Sequence, residues 1–224
     1  MNVPKHIAFI MDGNRRYAKA LGKTSAFGHQ IGRNRAEEVV EWCIESGIEH
    51  ITLWALSTEN WKKRSTLEQA VLFKLIDDIP ARFEKMKKYG LIIDFIGDIE
   101  SMPTSVKKSV HNASQKLFTD NPKHFLHIGL NYGGREEILH AIKALPKDKE
   151  ITQEEINSCL YTKNIPDVEL IIRTGGQKRL SGFMLWQSEY AEIYFSNTLW
   201  PDYTKEEFNN SLKNYSETQK NVGA

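Results

Sequence analysis

Residues that mark disulfide-rich, nucleic-acid-binding or membrane-spanning proteins are scarce in this chain. It has two cysteines, Cys43 and Cys159, which are too few for a disulfide framework or a cysteine metal cluster. Lysine and arginine number 30 against 29 for aspartate and glutamate, so we expect no nucleic-acid partner. No apolar run reaches the ~20 residues that span a bilayer, and the apolar start of the chain stops at Asp12, too soon for a signal peptide. We therefore expect a cytoplasmic protein.

Two common nucleotide-binding fingerprints are also missing. The chain contains neither G-x-x-x-x-G-K-[ST] nor G-x-G-x-x-G, and its 7 histidines have no metal-ligand spacing. Any phosphate site must therefore be built from other residues.

Short apolar segments alternate with helical patterns along the chain. Such alternation predicts a mostly parallel sheet covered by helices on both faces. The predicted strands are residues 6–11, 50–56, 91–96, 125–130, 168–172 and 193–195. The predicted helices are residues 28–46, 67–89, 104–118, 136–145, 152–160 and 204–215.

The fold class that follows is α/β, with one domain over residues 1–224 and a central six-stranded sheet flanked by helices. We expect the tail from Ser216 to be frayed. The helix at 67–89 is apolar on more than one face, whereas a surface helix needs a single apolar stripe. Two interpretations stay open: an ordinary helix between two layers, or one of the long helices bordering a hydrophobic tunnel.

Polar, charged or glycine-rich segments follow four of the predicted strands. They are residues 12–16 (DGNRR), 57–61 (STENW), 131–135 (NYGGR) and 173–176 (RTGG). Ligands of open parallel sheets bind outside the carboxyl ends of the strands. The sequence therefore predicts that these segments share one cleft.

The residues of this cleft suit a phosphate ligand and a divalent metal. A turn at Gly13 can aim backbone N–H groups at an anion, and arginine forms bidentate hydrogen bonds with phosphate. Asp12 has no cation immediately beside it in the sequence, and Mg²⁺ prefers such a carboxylate oxygen. Taken singly, these segments have plainer interpretations: a turn at 12–13, a tight loop at 131–134, and a solvated helix entry at 62–64.

Several motifs resemble, in order and spacing, those of the undecaprenyl diphosphate synthase family of cis-prenyltransferases. They are HIAFIMDGNRRYA, LWALSTENW, NYGGR, IIRTGG, RLSGF and LWQSEYAEIYF, and the resemblance runs from His6 to about Pro201. It implies an Mg²⁺-dependent enzyme that condenses isopentenyl diphosphate onto farnesyl diphosphate to make a long polyprenyl diphosphate. Undecaprenyl diphosphate, the lipid carrier of cell-wall sugars, is the product it favours. It also implies a homodimer and transient contact with a membrane surface for product release.

The resemblance assigns roles to single residues. Asp12 would ligate Mg²⁺, and Glu192 would be a second metal-side carboxylate, or else a structural carboxylate at a strand edge. Asn60 is the family's proposed proton acceptor; because a neutral amide is a poor base, we expect it to orient substrate or water. The predicted substrate-binding residues are Gly13, Asn14, Arg15, Arg16, Tyr17, His29, Ser57, Thr58, Glu59, Trp61, Lys63, Arg173, Arg179, Leu180 and Ser181.

Departures from the family pattern are few. Gln177 and Lys178 follow Arg-Thr-Gly-Gly where the family usually has a glutamate first, and Tyr17 replaces a tryptophan. Two rival interpretations remain: a catalytically silent partner subunit, and an unrelated Mg²⁺-dependent phosphate-ester enzyme. The presence of Asp12, Asn60 and Arg173 argues against the silent subunit.

Overall fold

The computed structural model describes residues 2–63, 76–146 and 150–218. One six-stranded sheet organises them, with strand order β3-β4-β2-β1-β5-β6 and every neighbouring pair parallel. The strands are β1 His6–Ile10, β2 His50–Ser57, β3 Leu91–Ile96, β4 His124–Tyr132, β5 Leu170–Arg173 and β6 Glu192–Phe195. The predicted α/β fold with a parallel six-stranded sheet is confirmed.

Helices connect the strands and lie against the sheet. The α-helices are α1 Asn14–Ala20, α2 Ser25–Glu45, α3 Thr58–Lys62, α4 Ile79–Phe83, α5 Thr104–Lys116, α6 Gly134–Ala144, α7 Gln153–Cys159 and α8 Lys205–Glu217, and the 3₁₀ helices are Glu84–Tyr89 and Trp200–Asp202. The sequence missed α1 and α3, which directly follow strands. Helix α8 continues through Glu217, so the predicted fraying at Ser216 is wrong there.

The long helix predicted at 67–89 is helical in most of its described part but is interrupted there. Residues 67–75 of that prediction lie outside the described residues, and beyond them α4 is followed by a 3₁₀ helix. Pro80 stands in the first turn of α4, where its missing N–H does no harm; inside a longer helix it would clash with the preceding turn. Gly90 ends the 3₁₀ helix with a left-handed φ of 78°.

Side-chain caps fix the starts of four helices. Thr24, Ser57, Thr152 and Thr204 each accept a hydrogen bond from a backbone N–H three residues later. Each such cap satisfies one N–H that the helix itself leaves without a partner, which is worth about 1 kcal/mol. At Thr152, the Oγ1 lies 3.2 Å from the Glu155 nitrogen.

Apolar side chains cover both faces of the sheet. Ile7 and Phe9 pack on one face with Val39 of α2 and Phe208 of α8, whereas Ala8 packs on the other with Tyr132 and Phe183. Adjacent residues of a strand point to opposite faces, which explains this division of β1. Cys43 is fully buried in the first cluster, and burial raises the pKa of its thiol well above the ordinary value.

Strand register brings residues that are distant in sequence to the carboxyl ends of neighbouring strands, at one edge of the sheet. Ile10 pairs with Arg173, and Ser57 pairs with Tyr132. The segments after β1, β2, β4 and β5 therefore leave the sheet at the same edge, as predicted. No helix in the described part of the chain is long and apolar enough to cross a membrane.

Candidate active site

Asp12 is held by its backbone between three segments of the chain. Its N–H donates to the Ile10 carbonyl at 2.9 Å, and its carbonyl accepts from the Thr174 hydroxyl at 2.8 Å and from the Trp200 N–H at 3.0 Å. These three hydrogen bonds fix the Asp12 backbone, and therefore the point from which the carboxylate side chain extends. Asp12 therefore occupies a set position at the carboxyl edge of the sheet.

Two guanidinium groups flank the Asp12 carboxylate. Arg16 donates to Oδ1 at 3.1 Å and Arg173 donates to Oδ2 at 3.0 Å. The Arg173 side chain is 5% exposed, whereas the Asp12 side chain is 31% and the Arg16 side chain 47% exposed. Although the sequence places no cation directly beside Asp12, the fold supplies two. The open side of this cluster presents positive charge to the cleft.

Gly13 makes the turn after Asp12 possible. Its φ is 123°, and a Cβ built there would lie 2.9 Å from both the Cα of Leu199 and the backbone nitrogen of Trp200. A side chain at this position would be strained and would also collide with backbone. Asn14 then starts α1 and donates from Nδ2 to the Met11 carbonyl at 3.2 Å.

Helices α1 and α2 pack unusually closely beside this turn. A Cβ on Gly28 would meet the Asn14 carbonyl oxygen at 2.1 Å, and one on Gly32 would meet Asn14 Oδ1 at 1.9 Å. The two glycines let α2 reach α1, which carries the half-buried Tyr17, while half-buried His29 lies on α2 next to Gly28. The Asn14 Oδ1 is buried without a hydrogen-bond partner among the described residues. Arg15 is exposed on α1.

The second predicted motif forms the start of α3. Ser57 accepts from the Asn60 N–H at 3.1 Å, and the buried Thr58 donates its hydroxyl to the Asn131 carbonyl at 3.2 Å. Both hydroxyls therefore bond to the protein's own backbone. Exposed Glu59, Asn60 and Lys63 face solvent, and half-buried Trp61 packs beside the cluster of Leu56 and Leu130.

The NYGG segment has a structural role first. Asn131 adopts a left-handed φ of 50° and donates from Nδ2 to the Asp98 carbonyl at 2.9 Å and to Ser101 Oγ at 3.1 Å. These bonds hold the turn after β4, as the plainer interpretation predicts.

Arg173 also contacts the loop that carries Arg179 and Ser181. Its Nη1 donates to Ser181 Oγ at 2.8 Å and to the Arg179 carbonyl. The exposed Arg179 side chain donates to the Gln177 amide oxygen. Because Gln177 is neutral, this bond does not neutralise the charge of Arg179. Leu180 packs partly buried against the cluster of Ala8 and Phe183 and anchors the loop.

A buried carboxylate ties this loop to the NYGG turn. Glu137 is fully buried and accepts from the Tyr132 hydroxyl, from Gln187 Nε2 at 2.9 Å, and from the N–H and hydroxyl of Thr162 at 3.1 and 2.8 Å. Burial, and then the Glu137 charge, raise the pKa of Tyr132 well above its ordinary value. Nearby, the Gly134 N–H donates to the Gly182 carbonyl at 2.7 Å.

Comparison with protein families gives a match over almost the whole chain. The prenyltransferase family model described as undecaprenyl diphosphate synthase matches residues 10–223. The chain belongs to this family. The resemblance found in the sequence motifs is confirmed, and the rival of an unrelated phosphate-ester enzyme is wrong.

Relatives of this prenyltransferase agree with that assignment. The isoprenyl transferase of Aquifex aeolicus is 38% identical, with 100% of this chain and 97% of that protein covered. The tritrans,polycis-undecaprenyl-diphosphate synthase (geranylgeranyl-diphosphate specific) of Thermoplasma volcanium is 37% identical, with 98% and 89% covered. Lavandulyl diphosphate synthase from Lavandula x intermedia, solved in complex with dimethylallyl diphosphate, is 28% identical with a TM-score of 0.88 and 99% of each chain covered.

Glu192 does not reach Asp12 within one chain of this prenyltransferase. It begins β6 and pairs with Leu170, whereas Ile10 and the Asp12 edge lie level with Arg173. Three residues of parallel strand separate the two levels by about 10 Å. The described residues contain no group of three or more histidine, cysteine or acidic side chains able to hold a metal ion.

Three positioning groups of the prenyltransferase escaped sequence reasoning. Thr174 and Trp200 bond the Asp12 carbonyl, and the Gly175 carbonyl accepts from Arg16 Nη1 at 2.7 Å. Thr174 and Gly175 lie in the RTGG segment, which the sequence predicts to be part of the site because of its arginine. The sequence does not indicate that these two residues take part. Nothing local in the sequence marks Trp200, because its contact joins residues far apart in the chain.

Proposed function

We propose that this cis-prenyltransferase lengthens farnesyl diphosphate by repeated addition of isopentenyl diphosphate, giving a long polyprenyl diphosphate of undecaprenyl length. The observation that carries the proposal is the Asp12 cluster, in which Arg16 and Arg173 converge on one carboxylate at the edge of the sheet. The names of the Thermoplasma relatives support the undecaprenyl product, although they specify a geranylgeranyl primer.

Diphosphate binding follows from the arginines. Arg16 is exposed beside Asp12 and suits the allylic diphosphate, together with the backbone of the Gly13 turn. Arg179 and the Ser181 hydroxyl, both on the loop that Arg173 holds, suit isopentenyl diphosphate. The unpartnered Oδ1 of Asn14 is a hydrogen-bond acceptor directed between α1 and α2, so it suits a bound water rather than a phosphate oxygen.

The donor set at Asp12 fits Mg²⁺ that arrives with substrate. Mg²⁺ keeps several waters and is commonly held by one or two carboxylates and substrate phosphates. Asp12 offers one partly exposed carboxylate, and its exposed partner Arg16 can exchange it for phosphate oxygens. Bound there, the ion would neutralise charge on the leaving diphosphate. Because Glu192 does not reach Asp12 within one chain, it would join this site only from a second chain.

The reaction we propose forms one carbon–carbon bond in each cycle. The isopentenyl double bond supplies the electron pair to the allylic C1, and the C1–O bond breaks with its pair going to the diphosphate. Arg16 and Arg173 stabilise the charge on the departing oxygen. A proton then leaves the new chain to water that Asn60 orients, and the new double bond is cis.

Assembly and location are part of the same proposal. We expect a homodimer through the exposed side of β6, an edge strand on which Ile193 is 39% exposed. Unpaired edge strands commonly pair or are covered. We expect the enzyme to act in the cytoplasm and to touch a membrane for product release, and we expect the growing chain to enter a hydrophobic tunnel.

A turnover assay tests this function. Purified protein is mixed with labelled isopentenyl diphosphate, Mg²⁺ and farnesyl, geranylgeranyl or dimethylallyl diphosphate, with EDTA as control, and the products are sized by chromatography. We expect farnesyl diphosphate to give an EDTA-sensitive ladder that ends at undecaprenyl length. A short product, or a preference for another primer, would correct the substrate and product. No incorporation by folded protein with any primer would favour the silent partner subunit.

A further inference from the structure

An exposed basic and aromatic surface lies beside the amino ends of β3 and β4, at the end of the sheet opposite the Asp12 cluster. It is contributed by the 3₁₀ helix before β3, the end of α5 and the segment before β4. We name it the lysine–aromatic patch, and its residues are the half-buried Lys87 and the exposed Lys88, Tyr89, Lys116, Phe118 and Lys123.

Contacts join the three segments of the patch. Lys87 Nζ donates to the Lys116 carbonyl at 3.1 Å, and the Lys123 N–H donates to the Gly90 carbonyl at 2.9 Å. Lys88, Tyr89 and Lys123 line one groove. The patch is therefore a continuous surface and not three separate features of the sequence.

Aromatic rings in the patch are exposed although their neighbours are fully buried. Phe118 is 61% and Tyr89 45% exposed, whereas Leu117 and Met86 are completely buried in the main core. The buried pair fixes the two segments, so the rings next to them project outward. Large exposed apolar groups gathered in one place commonly mark an interaction surface.

Positive charge in the patch is largely uncompensated. No ion pair joins Lys88, Lys116 or Lys123 to a carboxylate of residues 2–63, 76–146 or 150–218. The Lys88 ammonium lies 4.8 Å above the Tyr89 ring.

Acidic residues nearby do not cancel this charge. Glu41 and Glu45 line the same groove, but they pair with Lys85 and Lys205 at 3.6 and 2.6 Å. Exposed Glu84 and Asp120 on the flanks are two carboxylates against the four lysines of the patch.

We propose that the lysine–aromatic patch docks the enzyme on an anionic lipid surface. Aromatic rings are stable at the level of lipid headgroups, and each lysine near an anionic membrane adds to the attraction. The patch contains lysine and no arginine, whereas arginine is the residue that binds carboxylates of protein partners in fixed bidentate geometry. The choice of a lipid partner rests on the proposed function, because a long polyprenyl product must enter a membrane.

Vesicle co-sedimentation tests the proposal without turnover. Wild-type protein is mixed with vesicles of phosphatidylcholine, or of phosphatidylcholine with about one quarter phosphatidylglycerol. We expect binding to the anionic vesicles only, and its loss when sodium chloride rises from about 0.1 M to about 1 M, which shortens the screening length from about 10 Å to about 3 Å. The double variant Lys88→Ala/Lys123→Ala should lower the partition coefficient roughly 25-fold, about fivefold for each lysine. Phe118→Ser should lower it as well.

Matched controls use residues of the same exposure elsewhere. Lys143→Ala/Lys163→Ala removes two exposed lysines, and Ile151→Ser removes an apolar side chain that is 64% exposed. These controls should bind vesicles like wild type. Three results would overturn the proposal. The patch and control variants could lose binding equally, or the wild-type protein could fail to bind vesicles. The protein could also bind an acidic protein, such as a polyglutamate-rich carrier, but not lipid. An Asp12→Ala protein should still bind vesicles, so failure of turnover and failure of docking are distinguishable.

Discussion

Asp12 and Arg173, which are 161 positions apart in the chain, form an ion pair at 3.0 Å between Oδ2 and Nη2. Arg173 is nearly buried, and Asp12 is partly open to the cleft. The pair thus joins a positive group fixed by the protein to a carboxylate that substrate and metal can reach. Its two members meet because β1 and β5 are neighbours in the sheet.

Replacing the Asp12 carboxylate should slow turnover strongly and leave the fold intact. We expect Asp12→Asn to lower kcat roughly 100- to 1,000-fold, because it removes the charge that would hold Mg²⁺ against the leaving diphosphate. Steady-state kinetics at saturating substrates measure the effect. Asp77→Asn, a change at an exposed carboxylate outside the site, is the control. Turnover of Asp12→Asn at the wild-type rate would remove Asp12 from the mechanism.

A side chain at Gly13 should disrupt the site by moving backbone. We expect Gly13→Ala to reduce the free energy of unfolding by about 3 kcal/mol, since it combines a disfavoured φ with a collision against Leu199. Gly47→Ala is the matched control: its φ is also positive, at 78°, but nothing lies within 4 Å of the new Cβ. That control should lose about 1 kcal/mol. Urea unfolding compares the two, and equal losses would mean that the contact with Leu199 has no effect.

Glu137 should matter for stability far more than an exposed glutamate. Glu137→Ala removes the acceptor of four hydrogen bonds and leaves buried donors on Tyr132, Thr162 and Gln187 without it. We expect a loss of about 3 kcal/mol. Glu100→Ala, at a side chain 90% exposed and paired with Lys107, should cost less than about 1 kcal/mol. A small loss at Glu137, measured by urea unfolding, would contradict the network.

Stability should fall as the pH drops because three histidines are buried in neutral form. His6 bonds the Pro166 carbonyl at 2.7 Å and the Thr52 hydroxyl at 2.8 Å, and His50 bonds His127 at 3.1 Å. Burial, opposed by the Pro166 carbonyl and assisted by His50, lowers the pKa of His6 from 6.5 to about 4. Burial also lowers the pKa of His50, and lowers that of His127 well below its ordinary value.

The unfolded chain therefore binds more protons than the native protein between pH 6.5 and about 4. The contribution of His6 is fully present above pH 6.5 and is lost as the pH falls toward 4, by about 3 kcal/mol. The charged groups facing the cluster are Lys5, Glu49, Asp94 and Glu169. Urea unfolding from pH 7.5 to 4.5 measures how the free energy of unfolding depends on pH. His6→Gln should flatten this dependence, whereas His111→Gln, a change at an exposed histidine, should leave it as in the wild type.

The sequence predicted the sheet well and the connections less well. Buried strands are continuous apolar runs, so residues 91–96 were predicted to the residue. Helices α1 and α3 were missed because each has five to seven residues and starts directly at a strand end, where polar side chains mask a helical pattern. The helix predicted at 67–89 is interrupted in its described part, where Pro80 stands in the first turn of α4 and apolar periodicity gives no sign of the break.

Site residues were predictable as far as local motifs carried them. Asp12, Arg16, Arg173 and Ser181 were all named from the sequence, and the fold brings them into one hydrogen-bonded group. Thr174 and Trp200 were not, because their contribution is a contact with the Asp12 carbonyl that depends on tertiary structure. Roles for the remaining predicted residues, Asn60 and Glu192 included, stay predictions.

The clamp on the Asp12 carbonyl has a consequence for synthesis of the protein. Its donors, Thr174 and Trp200, are made long after Asp12 leaves the ribosome. The chain between Asp12 and these donors forms a long loop, and closing a long loop is slow and entropically costly. The clamp cannot form before this loop has closed. A growing chain therefore cannot fix the Asp12 carbonyl in this way until Trp200 has been made and has folded back onto it.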